Sequence, residues 1–290
     1  MKIDLHVHSK NGSDGRWPLE QIFAEAKRRL ISLISITDHD SLQGQGEAKR
    51  LARTHGIKYL PGVELNVTLA HPYYTKGKDA SLDFLGYAFD INNVGLMSKL
   101  HDLRVYRKER AEKILANINE EFIKEGRELL TQEDMDAIEA GVDGSLGRPH
   151  IANHLIAKGI VGTKQEAFDR YLTRCDVPKM PLSLEEASAL VRAAGGKLVL
   201  AHPNDSKGTS LAVITRSLEE QKKMILEVML PFIDGIECWH TRHDKHAAAF
   251  YLAIVRSEGL IATGGSDCHQ QPVLMGNVQV PDCVADQFGI

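Results

Sequence analysis

Cysteines and long apolar runs are scarce in this sequence. The four cysteines among 290 residues are scattered without a CxxC pair, which fits reduced thiols better than a disulfide framework. No uninterrupted apolar stretch approaches the roughly 18 to 20 residues that a membrane span needs. The first residues, MKIDLHVHSK, bring charges and histidines too early for a secretory signal. We therefore expect a soluble cytoplasmic protein that does not interact with a membrane.

An excess of positive charge is also lacking. The chain has 35 Lys and Arg against 39 Asp and Glu, a net charge of −4. Strong binding to a nucleic-acid backbone requires a basic surface, so we expect no stable complex with duplex nucleic acid. The hydrophobic content of 43% excludes disorder. A chain of this length suits one large domain, or one domain with an insertion.

Short apolar strands alternate with helices in the first and last thirds of the chain. Strands are predicted at 3–7, 31–37, 57–69, 82–89, 197–201, 233–239 and 260–264. Helices are predicted between them, at 18–30, 45–55, 184–194, 218–231 and 245–258. Repeated βα units of this kind predict an α/β fold with a parallel sheet, open or closed into a barrel.

The middle of the chain has helical patterns and almost no strand signal. We therefore predict that residues 94–182 form a helical insertion, and that residues 1–93 and 183–290 form one α/β core. A separate second domain is the weaker alternative. These patterns leave the oligomeric state open.

Histidines and carboxylates recur at the ends of the predicted strands. Asp4, His6 and His8 alternate along the first strand, so their side chains share one face, and Asp4 is expected to orient a histidine ring. Four further clusters stand at later strand ends: Thr37-Asp38-His39-Asp40, Gly62-Val63-Glu64, Ala201-His202-Pro203 and Gly265-Ser266-Asp267-Cys268-His269. Histidine with Asp or Glu is the ligand set of hydrolytic Zn, Mn or Fe centres, and α/β barrels build their sites at strand C-termini. Because buried charge is costly without a partner or a metal, the five clusters predict a multinuclear metal site.

Taken together, the motifs resemble those of the PHP (polymerase and histidinol phosphatase) family. The resemblance is carried by DLHVHS with a following Ser13-Asp14-Gly15, then TDHD, GVE, AHP and GSDCH, over roughly residues 3–93 and 183–270. It implies a distorted (β/α)7 TIM-like barrel with two or three divalent metal ions at the C-terminal strand ends. Mn is the implied metal, with Fe or Zn as alternatives. The helical insertion resembles that of the stand-alone PHP phosphoesterases that act on nucleotides and short oligonucleotides, where it covers the active site.

The resemblance also implies which residues bind metal. The implied ligands are His6, His8, Glu64 and Asp267 for the first ion, Asp14, His39 and His269 for the second, and Glu64 and His202 for the third. The third ion normally takes one more histidine, from a strand that reads roughly HILGY. Asp83 stands at that position here, and a carboxylate can still bind Mn or Fe. His71 lies nearby, and we interpret it as a loop residue rather than a ligand.

Substrate contacts are predicted in the insertion. Gly147-Arg148-Pro149-His150 resembles the R-x-H segment with which the family opens a helix over its site. Arg148 at a helix N-terminus offers phosphate a planar bidentate donor, and His150 is assigned to the phosphate with it. The alternative for Arg148 is a helix-capping salt bridge. The charged run 104–113 is interpreted as a solvated helix face. Lys179, where the insertion returns to the core, is interpreted as a solvated residue, with a substrate contact as the alternative.

A second group of candidate contacts follows the strand that ends near residue 239. The family often has a Glu there and a His six residues later, which implies His243 as a phosphate contact or as the proton donor to the leaving oxygen. His240 and His246 are the alternatives. Asn204, two residues after His202, is a candidate phosphate or ribose contact.

Metal-assisted hydrolysis of a phosphate ester is the reaction that these residues predict. Asp267, His243 and Arg148 are the predicted catalytic residues, with Arg148 offsetting the charge that develops on the phosphate oxygens. The resemblance implies a small phosphorylated substrate, such as the 3′-phosphate of a nucleoside 3′,5′-bisphosphate, or short RNA that loses 5′-nucleotides. Histidinol phosphate phosphatase and cyclic-phosphate phosphodiesterase are the closest alternatives. An amidohydrolase and a non-catalytic, metal-stabilised PHP module are further ones.

Overall fold

The computed structural model describes residues 1–141 and 146–290, which adopt a mixed α/β fold. The strands are β1 (Ile3–Val7), β2 (Leu33–Ile36), β3 (Lys58–Tyr59), β4 (Gly62–Ala70), β5 (Asp79–Tyr87), β6 (Lys197–Leu200), β7 (Gly235–His240) and β8 (Ile261–Gly265). The helices are α1 (Leu19–Arg28), α2 (Gln45–His55), α3 (Val94–Glu125), α4 (Gln132–Ala140), α5 (Arg148–Ala157), α6 (Lys164–Ala167), α7 (Leu184–Ala193), α8 (Leu211–Ile214), α9 (Leu218–Met224), α10 (Lys245–Glu258) and α11 (Cys283–Asp286). Two π-helical turns, Phe168–Leu172 and Ile225–Met229, continue α6 and α9. None of the described helices is both long and apolar enough to cross a membrane.

The strands form two sheets. β1, β2 and β3 are parallel neighbours, and β4 to β8 form a five-stranded sheet in sequence order. The sheets meet at two places, because Val7 at the end of β1 bridges Cys268 after β8, and His39 after β2 bridges Glu64 in β4. The C-terminal ends of β1, β2 and β8 therefore lie close to β4, where the predicted metal ligands are concentrated.

The expectation of a parallel sheet is wrong for β5. This strand runs antiparallel to both β4 and β6, whereas β6, β7 and β8 are parallel to one another as expected. Parallel neighbours need a long crossover connection, usually a helix, while antiparallel strands can be joined by a short loop. Residues 71–78 join β4 to β5 without a helix, so the two strands form a hairpin.

Helix α3 connects the sheets to the helical middle of the chain. Its 32 residues span about 48 Å at a rise of about 1.5 Å per residue. Asn93 caps the start by accepting a hydrogen bond from a backbone N–H of the first turn, and Gly126 ends the helix in the left-handed conformation (φ 65°). Leu96 and Leu103 in its first half pack into the core of the sheets, whereas Ile118 in its second half belongs to another cluster.

That second cluster lies among the helices of the middle of the chain and the loops that join them. The later half of α3 packs with α4, α5 and α6 around buried side chains that include Ile118, Phe122, Leu155 and Tyr171. The rings of Phe122 and Tyr171 meet edge to face, with 5.3 Å between their centroids. Among the described residues, no strand contributes to this cluster.

Candidate metal centre and substrate cavity

The strand ends place predicted metal ligands next to one another. His6 lies in β1, His8 follows the strand directly, and both are fully buried. The segment after β8 pairs with β1, since the His8 N–H donates to the Cys268 carbonyl at 3.1 Å and the Cys268 N–H to the His6 carbonyl at 3.3 Å. This pairing brings Asp267 and His269 beside the two histidines. Asp267 has a φ of 53°, a conformation that is costly for residues other than glycine and is typical of functional sites.

One cluster consists of His6, His8, Glu64 and Asp267. His8 Nε2 lies 3.2 Å from Glu64 Oε2 and 3.2 Å from Asp267 Oδ1. The same two oxygens lie 3.4 and 3.5 Å from His6 Nε2. Two imidazole nitrogens and two carboxylate oxygens therefore converge on one point, as the ligands of a divalent cation do.

A second cluster shares His8 and adds Asp14, His39 and His269. His269 Nε2 is 3.1 Å from Asp14 Oδ1, and His39 Nε2 is 3.8 Å from the same oxygen. The rings of His8 and His269 stack with 4.1 Å between centroids. Glu64 joins the two clusters, because its Oε2 also lies 3.1 Å from His39 Nδ1. A single buried carboxylate thus stands between two candidate cation positions.

His202 approaches the clusters from the end of β6. Its Nε2 is 3.0 Å from Glu64 Oε1, and with His6 these residues form a third group of candidate ligands. Glu237 supports both histidines, since its Oε1 is 3.0 Å from His6 Nδ1 and its Oε2 accepts the His202 N–H at 2.8 Å. When His6 Nδ1–H donates to this carboxylate, Nε2 is left without a proton and faces the cluster, as a metal ligand must.

Asp4 does not orient a histidine ring, contrary to the expectation from the sequence. Its carboxylate accepts backbone N–H groups of His6, Ser266 and Gly276 at 3.3, 2.8 and 2.7 Å, and the Ser266 hydroxyl at 2.7 Å. The hydrogen bonds of Asp4 therefore connect β1 to the segment after β8, and Glu237 orients the ring of His6. Sequence reasoning did not include Glu237 among the site residues, although it stands near a strand end as the other clusters do.

The charges in the clusters depend on one another. Burial would lower the pKa of His6, but nearby carboxylates, first that of Glu237, raise it well above its ordinary value. Burial would raise the pKa of Glu64, but neighbouring histidines, first His6, hold it well below its usual range. Against the effect of burial, Asp14 raises the pKa of His269 to about 10. Without a cation, protonated histidines therefore balance the buried carboxylates.

The donor set fits divalent cations. Within the described residues, the buried side-chain atoms that lack a hydrogen-bond partner include His6 Nε2, His8 Nε2, Asp14 Oδ1, Glu64 Oε2, His202 Nδ1 and His240 Nε2. A buried polar atom without a hydrogen-bond partner costs about 1 to 3 kcal/mol of stability. The concentration of such atoms in one place therefore indicates that a ligand binds there. Imidazole nitrogens and carboxylate oxygens together suit Mn, Fe or Zn.

Asp83, which stands where the family has a histidine, is held by donors of the protein itself. Its carboxylate accepts hydrogen bonds from Asn66 Nδ2 at 2.5 Å and from the Thr209 hydroxyl. Burial, followed by the charge of Glu64, raises the pKa of Asp83 to about 7. Lys179 Nζ donates to Asn66 Oδ1 at 2.7 Å, and burial lowers its pKa to about 8, so the expectation of a solvated lysine is wrong. The groups of candidate metal ligands among the described residues do not include Asp83.

Beside the clusters lies a cavity of about 200 Å³, here named the arginine cavity. Asp14 and His39 line it from the metal clusters. The cationic residues that line it are Arg107, Arg110, Arg148 and Lys179. Asp14 and Asp83 line the cavity as well, and the guanidinium groups can donate paired hydrogen bonds to an anion such as phosphate.

Two of these arginines contradict the interpretation of the charged run 104–113 as a solvated face. Arg110 is only 4% exposed, and Arg107 lines the same cavity. Residues three or four apart share a helix face, and the buried residues Leu103 and Ile114 continue this stripe in both directions. The spacing was therefore a signal in the sequence that the two arginines face inward.

Each cavity arginine has a carboxylate partner. Arg107 pairs with Asp40, and Arg110 pairs with Asp176. Arg148 Nη1 lies 2.6 Å from the other oxygen of Asp176. Arg148 thus makes a salt bridge, the alternative considered from the sequence, and at the same time lines the arginine cavity. These pairs hold the guanidinium groups in place around the cavity.

His150 also lines the arginine cavity, at the start of α5. Its Nδ1 accepts the Gly147 N–H at 3.1 Å, which caps the helix. Burial lowers the pKa of His150, so the ring is neutral at pH 7 and keeps an acceptor for this bond.

The ring of His243 forms a hydrogen bond with the backbone of Asn204 and does not contact the metal clusters. The Asn204 N–H donates to His243 Nε2 at 3.2 Å, and His243 Nδ1 donates to the Cys238 carbonyl at 3.0 Å. Burial lowers the pKa of His243 to about 4. The structure instead brings His240 into the site, with its Nε2 3.6 Å from Asp267 Oδ2. His246, the other alternative, is exposed on α10.

Fold and site together define a class: mixed α/β proteins with histidine–carboxylate metal clusters at strand ends beside an anion-binding cavity. A model of the PHP domain matches residues 4–175, more than half of the chain, and the chain belongs to the PHP domain family. The resemblance seen in the sequence is thereby confirmed.

Relatives with assigned activities align over most of the chain. A 3′,5′-nucleoside bisphosphate phosphatase of Chromobacterium violaceum is 29% identical over 286 residues, which cover 92% of this chain and 87% of the relative. A 5′-3′ exoribonuclease of Haemophilus influenzae is 26% identical over 278 residues, 92% of this chain and 90% of the relative. A solved structure of an amidohydrolase from Chromobacterium violaceum, with bound sulfate and no metal, superposes with a TM-score of 0.79 at 26% identity, covering 100% of this chain and 96% of that chain. The similarity therefore extends beyond the segment that the family model matches.

Proposed function

We propose that this protein is a metal-dependent phosphoesterase that removes the 3′-phosphate from nucleoside 3′,5′-bisphosphates. The observation that carries the proposal is the position of the arginine cavity beside the metal clusters. Asp14 and His39 belong both to a cluster and to the cavity wall. One small molecule with two phosphates would therefore find an anion site at each place. The activity after which the Chromobacterium violaceum phosphatase is named supports this choice.

Two divalent cations would occupy the clusters, with Mn²⁺ preferred over Fe or Zn. The ligands would be His6, His8, Glu64 and Asp267 for one cation, and Asp14, His39 and His269 for the other. When bound, the cations would lower the pKa of the attacking water and offset the charge on the phosphate oxygens. A third cation beside His202 is disfavoured, because the carboxylate of Asp83 already accepts two hydrogen bonds from the protein.

The distal phosphate, which is not cleaved, would bind in the arginine cavity. Guanidinium groups bind phosphate through paired N–H donors, and Arg107, Arg110 and Arg148 present three of them. Arg148 is the first residue of α5, where the positive end of the helix dipole also favours an anion. To bind substrate, Arg148 would exchange Asp176 for a phosphate oxygen.

His240 is our candidate for the proton donor to the leaving oxygen. Its Nδ1 accepts the Arg242 N–H at 3.2 Å, so the ring proton lies on Nε2, the atom that faces Asp267. His243 would instead position the segment that carries His202, since the backbone uses both of its ring nitrogens. Proton transfer by a positioned histidine typically contributes about 10²- to 10⁴-fold to a rate.

The proposal extends to the barrel, the helical insertion and the cellular location. The bridges at both meeting points of the sheets support a distorted (β/α)7 barrel formed by residues 1–93 and 183–290. The cavity residues of α3 and α5 support a helical insertion, 94–182, that covers the site; residues 142–145 of it lie outside the described residues. The four cysteines are free, which suits a reducing compartment and supports a cytoplasmic location.

Product formation by the Mn²⁺-loaded protein, followed by chromatography of the products, tests the proposal with adenosine 3′,5′-bisphosphate, histidinol phosphate and a cyclic nucleotide assayed as separate substrates. We expect the bisphosphate to have the highest kcat/KM and the Asp267→Asn variant to be inactive. Loss of a hydrogen bond to a charged group costs about 1.5 to 3 kcal/mol, so Arg148→Gln should raise KM about tenfold or more. Arg256→Gln, which changes an exposed arginine of α10 outside the cavity, should leave KM unchanged. A preference for histidinol phosphate or the cyclic nucleotide would overturn the proposal, as would no turnover of any substrate.

A further inference from the structure

Lys179 differs from the three arginines with which it lines the arginine cavity. Each of the arginines pairs with a carboxylate, whereas in the described part of the chain no carboxylate lies within 4.0 Å of Lys179 Nζ. An ammonium group has three N–H donors, and among the described residues one of them is used, in the bond of 2.7 Å to Asn66 Oδ1. Two donors therefore remain for a ligand in the cavity, and no ion pair has to be exchanged.

Two strands and a loop hold the amide group that Lys179 contacts. Asn66 in β4 faces Asp83 in β5 across the hairpin, and Asn66 Nδ2 donates to Asp83 Oδ1 at 2.5 Å. The Thr209 hydroxyl, from the loop after β6, donates to the other oxygen of Asp83. Because the NH₂ group of Asn66 is bonded to a carboxylate, its oxygen faces the ammonium. The amide therefore favours a cation at this point of the cavity.

The backbone around Lys179 is fixed on both sides. Arg110 Nε donates to the Val177 carbonyl at 2.5 Å, and the Thr68 N–H donates to the Leu182 carbonyl at 2.8 Å. The segment that carries Lys179 is thus connected to α3 and to β4. Ordering a lysine side chain is entropically costly, and a side chain that is already ordered adds less to the cost of binding a ligand. Burial lowers the pKa of Lys179 to about 8, which leaves the ammonium mostly protonated at pH 7.

Asn66 and Asp83 lie next to metal ligands. Asn66 stands two residues after Glu64 on β4, so the two side chains share a face of the strand and their Cα atoms are about 7 Å apart. Asp83 Oδ2 lies 4.0 Å from His202 Nε2, which is 3.0 Å from Glu64 Oε1. The Lys179 ammonium is one hydrogen bond beyond Asn66, which places it at the edge of the metal centre.

We propose that the Lys179 ammonium binds the phosphate that lies at the metal centre, and that Asn66 and Asp83 position the ammonium for this contact. The inference rests on the proposed function and deepens it, because it adds a protein cation to the groups that hold the cleaved phosphate. The ammonium donates hydrogen bonds to the phosphate oxygens, and its charge offsets the charge that develops on them during the reaction. Asp83 is then a positioning residue that acts through Asn66.

Two substrates distinguish this contact from one with the phosphate in the arginine cavity. Adenosine 3′,5′-bisphosphate has both phosphates, whereas adenosine 3′-monophosphate has only the one assigned to the metal centre. Loss of a hydrogen bond to a charged group corresponds to about 10- to 100-fold, so Lys179→Met should lower kcat/KM of the Mn²⁺-loaded protein by this factor for both substrates. Arg148→Gln should instead lose much more with the bisphosphate than with the monophosphate. A loss in Lys179→Met that is confined to the bisphosphate, or no loss, would overturn the inference.

The matched control is Lys49→Met, which changes an exposed lysine of α2 outside the cavity and should retain wild-type kcat/KM for both substrates. Lys179→Arg keeps the charge and should retain more activity than Lys179→Met. Thermal unfolding midpoints and manganese contents, the latter from elemental analysis, should equal those of the wild type. A lower manganese content in Lys179→Met would show that the lysine acts through the metal ions, and would overturn the inference.

A double-mutant cycle tests the positioning role of Asn66. Asn66→Ala should lower kcat/KM in the wild-type background. It should have little further effect in the Lys179→Met background, because the amide acts through the ammonium. Independent, additive losses would contradict the positioning role.

Binding of inorganic phosphate to the Mn²⁺-loaded protein, measured by calorimetry, supplies a readout without turnover. The dissociation constant should increase about tenfold or more in Lys179→Met and should keep the wild-type value in Lys49→Met. An unchanged phosphate affinity in Lys179→Met would overturn the inference. Phosphate binding that depends on Lys179, without hydrolysis of either nucleotide, would support the contact and would refute the proposed function instead.

Discussion

Replacement of Glu237 by glutamine should weaken metal binding without a change in the volume of the core. Glu237 is fully buried, and its two oxygens serve different partners, His6 Nδ1 at 3.0 Å and the His202 N–H at 2.8 Å. Glutamine has one acceptor oxygen and would present its NH₂ group to the other donor. One of the two histidines therefore loses the bond that positions it.

The magnitude of this loss follows from the chemistry of the bond. A hydrogen bond to a charged group contributes about 1.5 to 3 kcal/mol, and loss of an outer partner of a ligating histidine typically costs about 10- to 100-fold in metal affinity. At about 1.36 kcal/mol per factor of ten, the two ranges agree. We therefore expect the Mn²⁺ dissociation constant of Glu237→Gln to be about 10- to 100-fold higher than that of the wild type.

Titration calorimetry of the metal-free protein with Mn²⁺ measures this effect directly. Glu47→Gln is the matched control, because Glu47 is outside the site and pairs with Arg50 on the surface of α2. An unchanged Mn²⁺ affinity in Glu237→Gln would refute the role assigned to the carboxylate. Equal weakening in both variants would show that the effect is not specific to the site.

Three further predictions concern protonation, the third metal position and the insertion. Against the effect of burial, Asp14 and then Asp267 raise the pKa of the proposed ligand His269 to about 10. Because ligands must lose their protons, Mn²⁺ affinity should rise with pH from 6.5 towards 10, and calorimetric heats at pH 7 should depend on the ionisation enthalpy of the buffer; buffer-independent heats would contradict this. Asp83→His should increase the metal content by one ion per chain, as measured by elemental analysis, and an unchanged content would argue against the present account of that position. Ile118→Ala, at a fully buried position, should lower the free energy of unfolding by about 2 to 5 kcal/mol in urea denaturation. Ile123→Ala, at a position 67% exposed, should change it little, and equal effects would show that Ile118 is not part of a tightly packed core.

The proximity of the metal ligands was predictable because it follows from local rules. Alternation along a strand places His6 and His8 on one face, and parallel strands bring their C-terminal ends to the same edge. The structure brings Asp267 and His269 to these histidines through the pairing of β1 with the segment after β8. The strand positions alone are therefore enough to predict that these metal ligands lie together.

The direction of β5 was harder to predict, because its apolar pattern does not distinguish a parallel strand from an antiparallel one. Only the absence of a helix in 71–78 indicates the hairpin. The inward position of Arg107 and Arg110 was missed for a related reason. Arginine is usually exposed, so the many charged residues of the run 104–113 favoured a solvated face. The spacing of Arg107 and Arg110, which continues the buried stripe of Leu103 and Ile114, indicated the opposite.

The choice between His240 and His243 depends on the turn that follows β7. The two residues are three positions apart, and either can face the strand ends in an extended chain. The His243 N–H donates to the His240 carbonyl at 3.0 Å, which closes a turn and directs the His243 ring towards the backbone of Cys238 and Asn204. No local pattern in the sequence specifies this turn, so the assignment required the structure.

The identity of the product from adenosine 3′,5′-bisphosphate tests the central claim most directly. The Mn²⁺-loaded protein would be incubated with this substrate, and the products would be separated by chromatography and assigned by phosphorus NMR. With the cleaved phosphate at the metal centre and the other in the arginine cavity, we predict adenosine 5′-monophosphate and inorganic phosphate in equal amounts. Formation of adenosine 3′-monophosphate, or an intact substrate in the presence of bound Mn²⁺, would contradict the account.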